Sequence, residues 1–368
     1  MSPAVVILLV GSLVAASCAL VGSFLVLRRL ALVGDAISHA VLPGIVIAFL
    51  LTGSRASLPM VVGAAALGVL TVFLVEMLCR TRRLSEDASI GVVFPALFSV
   101  GVVLVSRYAG QVDLDLECVL YGDIAYVPLD VLYWGGRSIG PKALWVTGSV
   151  LVMNLLLVVG LYKELKLTTF DPELAASLGY SPVLVHYVLM TAVSVTVVGA
   201  FESVGAILVV ALLVVPPATA YLLTHRLRVM LVLAVAVGVA STVLGYELAR
   251  WLDASIAGGM GAAAGALFVL ALLLAPRQGL VARAVAHRRL ALRLAGRLLL
   301  LHLKDGRELL PRDEVKQRFG WGQRRWRRVV RELLQGGLVE STNGRLRMTA
   351  AGAQALEAIG ATALAHRL

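Results

Sequence analysis

The chain has 368 residues, of which 59% are apolar and 15% are charged, and its formal net charge is +11 at pH 7. This composition is too apolar and too poor in charge for an ordinary soluble domain. Repeated apolar runs are long enough to cross a bilayer, so the composition indicates a polytopic membrane protein.

Missing motifs argue against cysteine-based structural sites and against two kinds of enzyme active site. Cys18, Cys79 and Cys118 show no paired spacing, which argues against a structural zinc site and against a disulfide framework. The sequence contains no Gly-rich phosphate loop followed by Lys-Ser/Thr and no nucleophile elbow. We therefore expect a protein that is not an enzyme, and any nucleotide hydrolysis that drives it belongs to a separate chain.

Nine membrane-spanning segments are predicted from the length of the apolar runs. They cover residues 4–27, 37–52, 58–79, 88–106, 143–161, 183–200, 204–223, 229–249 and 255–275. The first segment is too long for the core of a signal peptide and has no basic segment before it, so we expect it to be retained. The predicted fold class is an all-α polytopic membrane protein of about nine transmembrane helices.

Basic residues are concentrated in alternate loops. One set of loops holds Arg28/Arg29, Arg80/Arg82/Arg83, Lys163/Lys166 and Arg226/Arg228. The other set holds fewer cations, namely Arg55, Arg107, Arg137, Lys142 and Arg250. By the positive-inside rule, this bias predicts an amino terminus outside the cell and a carboxyl terminus in the cytoplasm.

Asp35 and His39 lie four residues apart where the second span begins. Residues at this spacing share one face of a helix. Ionisable side chains at bilayer depth are costly, so they usually line a polar path or a binding site. The pair predicts a binding site for a divalent cation on such a path. In the alternative interpretation, Asp35 caps the helix N-terminus and His39 is a packing residue, which explains the aspartate but not the histidine.

One carboxylate oxygen and one imidazole nitrogen suit manganese, zinc or ferrous iron better than calcium or magnesium. Two ligands are too few for a closed site, so we expect transient passage of the ion and no permanently bound cofactor. Glu202 is a third candidate metal residue. It lies between two apolar runs with almost no loop, where a turn near the outer mouth would place a carboxylate; the alternative is a solvated side chain.

The loop of residues 162–182 lies on the cytoplasmic side of this predicted topology. Asp171–Glu173 predicts a helix start, because proline is favoured at the first helical position and acidic residues in the first turn. Gly179 is typical of a helix end. The apolar ridge predicted on this helix consists of Ala175, Ala176 and Leu178. The alternative is an ordinary surface helix between two spans.

Charge also divides the chain into two parts. Residues 1–282 hold 15 Lys and Arg against 15 Asp and Glu, whereas residues 283–368 hold 18 against 7. The second part lacks long apolar runs. We therefore predict a transmembrane domain at 1–282 and a small cytoplasmic domain at 283–368. The basic stretch Arg283–Arg297 is either an amphipathic helix against anionic lipid or simply the first helix of the tail.

The tail has the predicted order helix, helix, hairpin, which is that of a winged-helix domain. The predicted elements are a helix at 311–319, a helix at 323–334 stopped by Gly336-Gly337, and two strands within 338–348 around an Asn-Gly turn. The stretches GLVE (337–340) and LRMTAAG (346–352) resemble the wing and following helix of iron-dependent repressors. We therefore predict a small α+β winged-helix domain.

Five arginines surround Trp326 on the second predicted helix of the tail: Arg324, Arg325, Arg327, Arg328 and Arg331. This pattern is typical of a recognition helix that approaches phosphates and base edges of DNA. A basic domain beside an inner leaflet could equally contact acidic lipid or an acidic partner subunit. Both interpretations stay open at the level of sequence.

Five ordered stretches of residues 1–282 resemble the permease subunit of the metal-ion ABC importers, the ABC-3 family, which includes manganese, zinc and iron systems of bacteria. They are LVGDAISHAVLPG (32–44), EDASIGVVFPALFSVG (86–101), DLDLECVLYGDI (113–124), TTFDPELAASLGY (168–180) and GAILVVALLVVPPATAYLL (205–223). The resemblance implies a permease of the bacterial cytoplasmic (inner) membrane. Its implied partners are two ATPase subunits, an extracytoplasmic metal-binding protein and a second permease subunit, either the same or a homologous chain.

By the same resemblance, the loop at 162–182 carries the coupling helix that sits in a cleft of the ATPase. Its residues would be Phe170, Asp171, Pro172, Glu173, Ala175, Ala176 and Gly179. A competing function of another class is a membrane-tethered, metal-responsive transcriptional regulator. In that case the spans sense metal and the winged-helix tail acts on DNA, with or without proteolytic release near residues 277–300.

Overall fold

The computed structural model describes residues 2–52, 57–81, 83–108, 124–134, 137–275, 279–304, 320–342 and 345–356. The chain forms two compact units that divide after Ala275. The sequence pattern placed this boundary at 282/283. The helix that begins at Leu280 contributes to the core of the second unit, so the division lies in front of that helix.

The first unit is predominantly helical. Its helices are α1 (Pro3–Leu27), α2 (Ala31–Thr52), α3 (Ser57–Arg80), α4 (Glu86–Tyr108), α5 (Lys142–Gly160), α6 (Tyr162–Phe170), α7 (Pro172–Ser177), α8 (Pro182–Val204), α9 (Ala206–Leu223), α10 (Leu227–Leu252) and α11 (Ile256–Leu274). A short hairpin of β1 (Val131–Trp134) and β2 (Arg137–Pro141) precedes α5 and pairs antiparallel.

Within the described residues, eight helices are long and apolar enough to cross a membrane: α1, α3, α4, α5, α8, α9, α10 and α11. Helix α2 adds a ninth span if its two halves, Ala31–Ser38 and Pro43–Thr52, are counted as one span bent by 40°. Pro43 explains the bend, because it has no backbone N–H and its ring crowds the preceding turn. The predicted polytopic helical fold is confirmed.

Helix α1 forms the centre of the first unit. About two thirds of its apolar window is buried, and it packs against α5, α8, α9 and α10. A helix that is apolar on all sides is expected in such a position. Asn154 of α5 donates to the hydroxyl oxygens of Ser17 in α1 and Thr196 in α8, both at 2.7 Å. This buried amide therefore connects three helices.

The second unit combines two helices with a hairpin. Its elements are α12 (Leu280–Lys304), α13 (Gln323–Gln335), β3 (Val339–Thr342) and β4 (Arg345–Met348), followed by helical residues 350–356. The strands pair antiparallel, Val339 with Met348 and Thr342 with Arg345. The core is formed by Ala295, Leu299, Leu300, Trp321, Val329, Leu333, Val339, Leu346 and Leu356.

The helix predicted at 323–334 and the hairpin predicted within 338–348 thus occur where the sequence predicts them. The helix predicted at 311–319 lies outside the described residues. A winged-helix domain requires that element, so its assignment stays a prediction.

Candidate functional site

Asp35 lies inside α2 rather than at its start. The helix begins at Ala31 and has no acidic residue in its first turn. The interpretation of Asp35 as the N-terminal cap is therefore wrong. At 1.5 Å per residue, Asp35 is about 6 Å and His39 about 12 Å along the axis from the helix start. Both residues of the predicted pair thus belong to the interior of an apolar helix.

His39 occupies the bend of α2, four residues before Pro43. The position of its backbone is defined, but its side chain lies outside the described part of the structure. Because Pro43 has no N–H, it cannot donate the usual helical hydrogen bond to the carbonyl oxygen of His39. The bend therefore adds a third donor atom in the region of Asp35 and His39, and this atom is the backbone carbonyl oxygen of His39.

Close backbone contacts hold the two halves of α2 in place. A Cβ atom on Gly44 would lie 2.5 Å from the carbonyl oxygen of Gly63 in α3, and one on Gly63 would lie 2.6 Å from the carbonyl oxygen of Gly44. A Cβ atom on Gly34 would collide with the side chain of Leu213 in α9. Glycines before and after the bend thus allow neighbouring helices to approach the Asp35/His39 segment.

Glu202 lies on a different helix from Asp35 and His39. It lies near the C-terminal end of α8, three residues before Gly205, which alone connects α8 to α9 with a φ of +77°. Near the opposite end of α8, Tyr187 contacts Glu76 of α3. Glu202 is about 22 Å along the axis from Tyr187. Its backbone is therefore far from the end at which α2 begins, and its side chain lies outside the described residues.

A cavity of about 150 Å³ occupies the Glu202 end of α8. Its polar lining residues are Tyr126, Asp130, Lys142 and Ser203. Asp130 and Ser203 were not singled out from the sequence. Only the folding of the 124–134 segment onto α5 and α8 brings them together. Among the described residues, no group of three or more His, Cys, Asp and Glu side chains could hold a metal ion.

At the other end of the first unit, Arg28 connects α1 to α6. It follows the last residue of α1, and its Nε donates to Thr169 Oγ1 at 3.1 Å while its Nη2 donates to Thr168 Oγ1 at 2.9 Å. Partial burial lowers the pKa of Arg28, but a guanidinium stays charged in proteins. These bonds join residues that are 141 and 140 positions apart in sequence.

Helix α7 has the local structure that the sequence predicts. The Asp171 carboxylate accepts from the backbone N–H of Leu174 at 2.9 Å, and Pro172 is the first helical residue. Gly179 ends the turn with a φ of +87°, a conformation that favours glycine. The N–H of Tyr180 then donates to the carbonyl oxygen of Ala175 at 3.0 Å. The helix is therefore capped at both ends by its own residues.

The exposed face of this segment differs from the predicted ridge. Ala175 is fully buried, while Ala176 is exposed. The large apolar side chains that face outward are Phe170 (61% exposed), Leu174 (46%) and Leu178 (61%). The ridge prediction is therefore wrong for Ala175, because the helix turns that residue inward. The apolar surface is larger than alanines alone would provide.

A second polar contact ties α3 to α8 at the same end. The Tyr187 hydroxyl donates to Glu76 Oε2 at 2.6 Å, and Arg80 Nη2 donates to Glu76 Oε1 at 2.7 Å. Glu76 thus accepts from two helices at once. Together with the Arg28 contacts, these bonds connect α1 to α6 and α3 to α8.

In the second unit, the five arginines of α13 have two different environments. Arg325 Nη2 donates to the carbonyl oxygen of Ala291 at 3.2 Å, and its guanidinium lies 5.6 Å from the Trp321 ring centroid. Arg325 therefore connects α13 to α12 within the second unit. All five are exposed, and by their spacing the other four share one face: Arg324, Arg327, Arg328 and Arg331.

Comparison with known proteins covers both units. The model of the ABC 3 transport family matches residues 3–275. The chain is 50% identical over 277 residues to the manganese transport system membrane protein MntD of Bacillus subtilis, covering 75% of this chain and 94% of MntD. It is 45% identical over 358 residues to the zinc transport system membrane protein TroD of Treponema pallidum, covering 96% and 97%. The TroD alignment therefore extends into the second unit.

Among solved structures, this chain is similar to a chain of PsaBC from Streptococcus pneumoniae in complex with Fab. The TM-score is 0.63 at 29% identity, and the match covers 76% of this chain and 94% of that one. The family match spans most of the chain, and the helical arrangement agrees with it. The chain therefore belongs to the ABC 3 transport family.

Proposed function

We propose that this chain is the permease subunit of an ABC importer that moves manganese, zinc or ferrous iron into the cytoplasm. The observation that carries the proposal is the Asp35/His39 pair in the bent span α2. The names of MntD and TroD support metal transport, and they favour a permease over the tethered regulator. They differ in the metal, so the ion is specified here only as a divalent transition metal.

The chemistry of the pathway follows from the donors on α2. Asp35 supplies a carboxylate oxygen, neutral His39 supplies an imidazole nitrogen, and the His39 carbonyl supplies an oxygen that Pro43 leaves without its helical partner. Waters complete the shell. An incomplete protein shell releases an ion faster than a closed one, as a transport pathway requires. The proposed site therefore passes the ion on and does not store it.

The two ends of the first unit have different proposed partners. The end with Arg28, α6 and α7 lies on the cytoplasmic side of a bacterial inner membrane. It binds a separate ATPase subunit through Phe170, Leu174 and Leu178. ATP is hydrolysed on that subunit. The end with Glu202 and the 150 Å³ cavity faces outward, where the extracytoplasmic metal-binding protein docks. A second permease chain completes the translocation pathway.

Transport follows as alternating access between these ends. ATP-driven motion of the ATPase moves α7 and the adjoining α6, and Arg28 passes this motion from α6 to α1 at the centre of the unit. The bent helix α2, which packs against α3 and α9, then exposes its donors to one side or the other.

Metal-resolved uptake tests this function. The chain is expressed with its ATPase and delivery protein in cells that lack other importers of these metals, and manganese, zinc and iron contents are measured by mass spectrometry. We expect accumulation of at least one metal that depends on an ATPase with an intact nucleotide site. Equal metal contents with and without this chain would overturn the proposal.

We propose a separate partner for the tail, namely a polyanion that carries phosphate groups. The exposed face of Arg324, Arg327, Arg328 and Arg331 favours DNA or another polyanion. Binding of labelled duplex DNA to the full chain in nanodiscs at low salt, lost on replacing these four residues by glutamine, would support DNA as the partner. No binding at low salt would exclude it, because phosphate contacts strengthen as salt falls.

A further inference from the structure

Helix α12 presents two apolar faces, although a helix of a small domain normally needs only one. Its inner face packs into the core of the second unit through Ala295, Leu299 and Leu300. On the opposite face, four leucines are each about half exposed: Leu290 (54%), Leu294 (47%), Leu298 (49%) and Leu301 (50%). We call these four residues the leucine stripe.

The leucine stripe is continuous and carries basic residues of its own. Its members recur at spacings of three and four residues, which places them on one side of the helix. Arg283 and Arg297 lie seven residues before and after Leu290, so they belong to the same side, and both are exposed. The outward face of α12 therefore combines a row of leucines with cations.

The position of α12 in the chain limits what can cover this face. Only residues 275–279 separate Leu274, the end of the last span, from Leu280. Fully extended, this connection reaches about 20 Å. The start of α12 is thus kept close to the membrane surface whatever the rest of the tail does. The tail as a whole carries the entire net charge of the chain, with 18 basic against 7 acidic residues after position 282.

From these observations we propose that the leucine stripe and its flanking arginines bind the surface of a membrane that contains anionic lipid. The leucines enter the boundary between headgroups and acyl chains, and Arg283 and Arg297 contact lipid phosphates. An apolar row bordered by basic residues is the pattern of a helix that lies in this boundary. This proposal concerns the lipid, and it does not depend on the transported metal.

Photo-crosslinking in the full transporter tests the proposal. The photoreactive amino acid benzoylphenylalanine replaces Leu294, and the chain is assembled with its ATPase in nanodiscs of phosphatidylcholine with or without phosphatidylglycerol. We expect a phospholipid adduct, identified by mass, whose yield rises at least about threefold with phosphatidylglycerol. The same substitution at Leu334 of α13, an exposed leucine outside the stripe, serves as the matched control and should capture little lipid.

A charge variant keeps the test independent of the substituted leucine. Arg283→Gln combined with Arg297→Gln leaves the stripe and the buried face of α12 intact, and it should reduce lipid capture at position 294 to the level seen in phosphatidylcholine alone. Crosslinks at 294 to a second copy of the chain or to the ATPase would overturn the proposal. So would equal lipid capture in both nanodiscs, or lipid capture at 334 equal to that at 294.

Discussion

Helix α2 and the α6–α7 segment differ in what their side chains offer. Helix α2 is apolar except for a few residues, among them Asp35 and His39, which are ionisable groups inside a bent span. The α6–α7 segment offers instead an exposed apolar surface on a short helix that is capped at both ends. The comparison separates a chemical role, which depends on donor atoms, from a mechanical role, which depends on shape and anchoring.

If this distinction holds, variants of the two regions fail in different ways. Variants of α2 should lose transport but keep the ATPase bound. Variants of the α6–α7 segment should lose the ATPase or its coupling while the donors on α2 stay intact.

The largest effect is expected for Asp35→Ala and His39→Ala. Losing even an outer partner of a metal ligand costs about 10- to 100-fold in affinity, and losing a direct ligand costs at least as much. We therefore expect metal uptake to fall at least about tenfold, while the amount of ATPase that copurifies is unchanged. Uptake by proteoliposomes and gel quantification of the complex measure both.

Asp253→Asn and His225→Ala are matched controls for this pair. Asp253 ends α10 with a φ of 51°, which asparagine tolerates, and His225 is an exposed loop residue. Both controls should transport normally. Full uptake by both pair variants would contradict the chemical role of α2.

Leu174→Glu should have the next largest effect. Unlike the variants of α2, it should weaken binding of the ATPase. The side chain is exposed in the free chain, so the first unit should fold normally. Burial of a leucine contributes about 1.5–3 kcal/mol, which corresponds to at least about a tenfold change in binding. We expect copurification of the ATPase to fall by that factor, and uptake to fall with it.

The matched control is Leu252→Glu, an exposed leucine at the opposite end of the first unit. Its copurification with the ATPase should equal that of the wild type. Normal ATPase binding and normal uptake by the Leu174 variant would show that α7 is an ordinary surface helix.

Arg28→Ala should produce a smaller and purely mechanical defect. The variant loses the bonds to Thr168 and Thr169, and a hydrogen bond to a charged group contributes about 1.5 kcal/mol or more when it is shielded from solvent. We expect a lower midpoint of thermal unfolding and less metal transported per ATP hydrolysed. Arg28→Lys should recover only part of this ratio, because an ammonium cannot reproduce the guanidinium fork.

Arg226→Ala removes an exposed arginine between two other spans and serves as the control. It should leave the ratio of transport to hydrolysis unchanged. If Arg28→Ala also left both the ratio and the unfolding midpoint unchanged, the proposed connection from α7 to α1 would have to be abandoned.

Most of the helical framework could be predicted from sequence, because a membrane span is a local property of apolar length. The same holds for α7, whose start at Asp171-Pro172 and end at Gly179 depend on the residues at its own ends. The burial of Ala175 could not be predicted, since it depends on how the helix is turned against its neighbours. Likewise, nothing local relates Arg28 to Thr168 and Thr169.

For the candidate metal residues too, local spacing could be predicted from sequence, whereas the relative positions of helices could not. The spacing of Asp35 and His39 placed them on one helix, and that holds in the structure. Glu202 carries the same kind of ligand atom, yet it lies near the end of α8 remote from the start of α2. Which helix ends meet is decided by the packing of the whole unit, so residue type alone could not place Glu202 relative to the other two.

By itself, the sequence determined the class of protein, the spans, the charge asymmetry between the two units and the caps of α7, because each depends on neighbouring residues or on composition. Only the tertiary structure decided that Arg28 holds α6, that Ala175 is buried while Leu174 is exposed, and that α12 turns a second apolar face outward. These features depend on contacts between residues far apart in the chain, which form only when the helices pack.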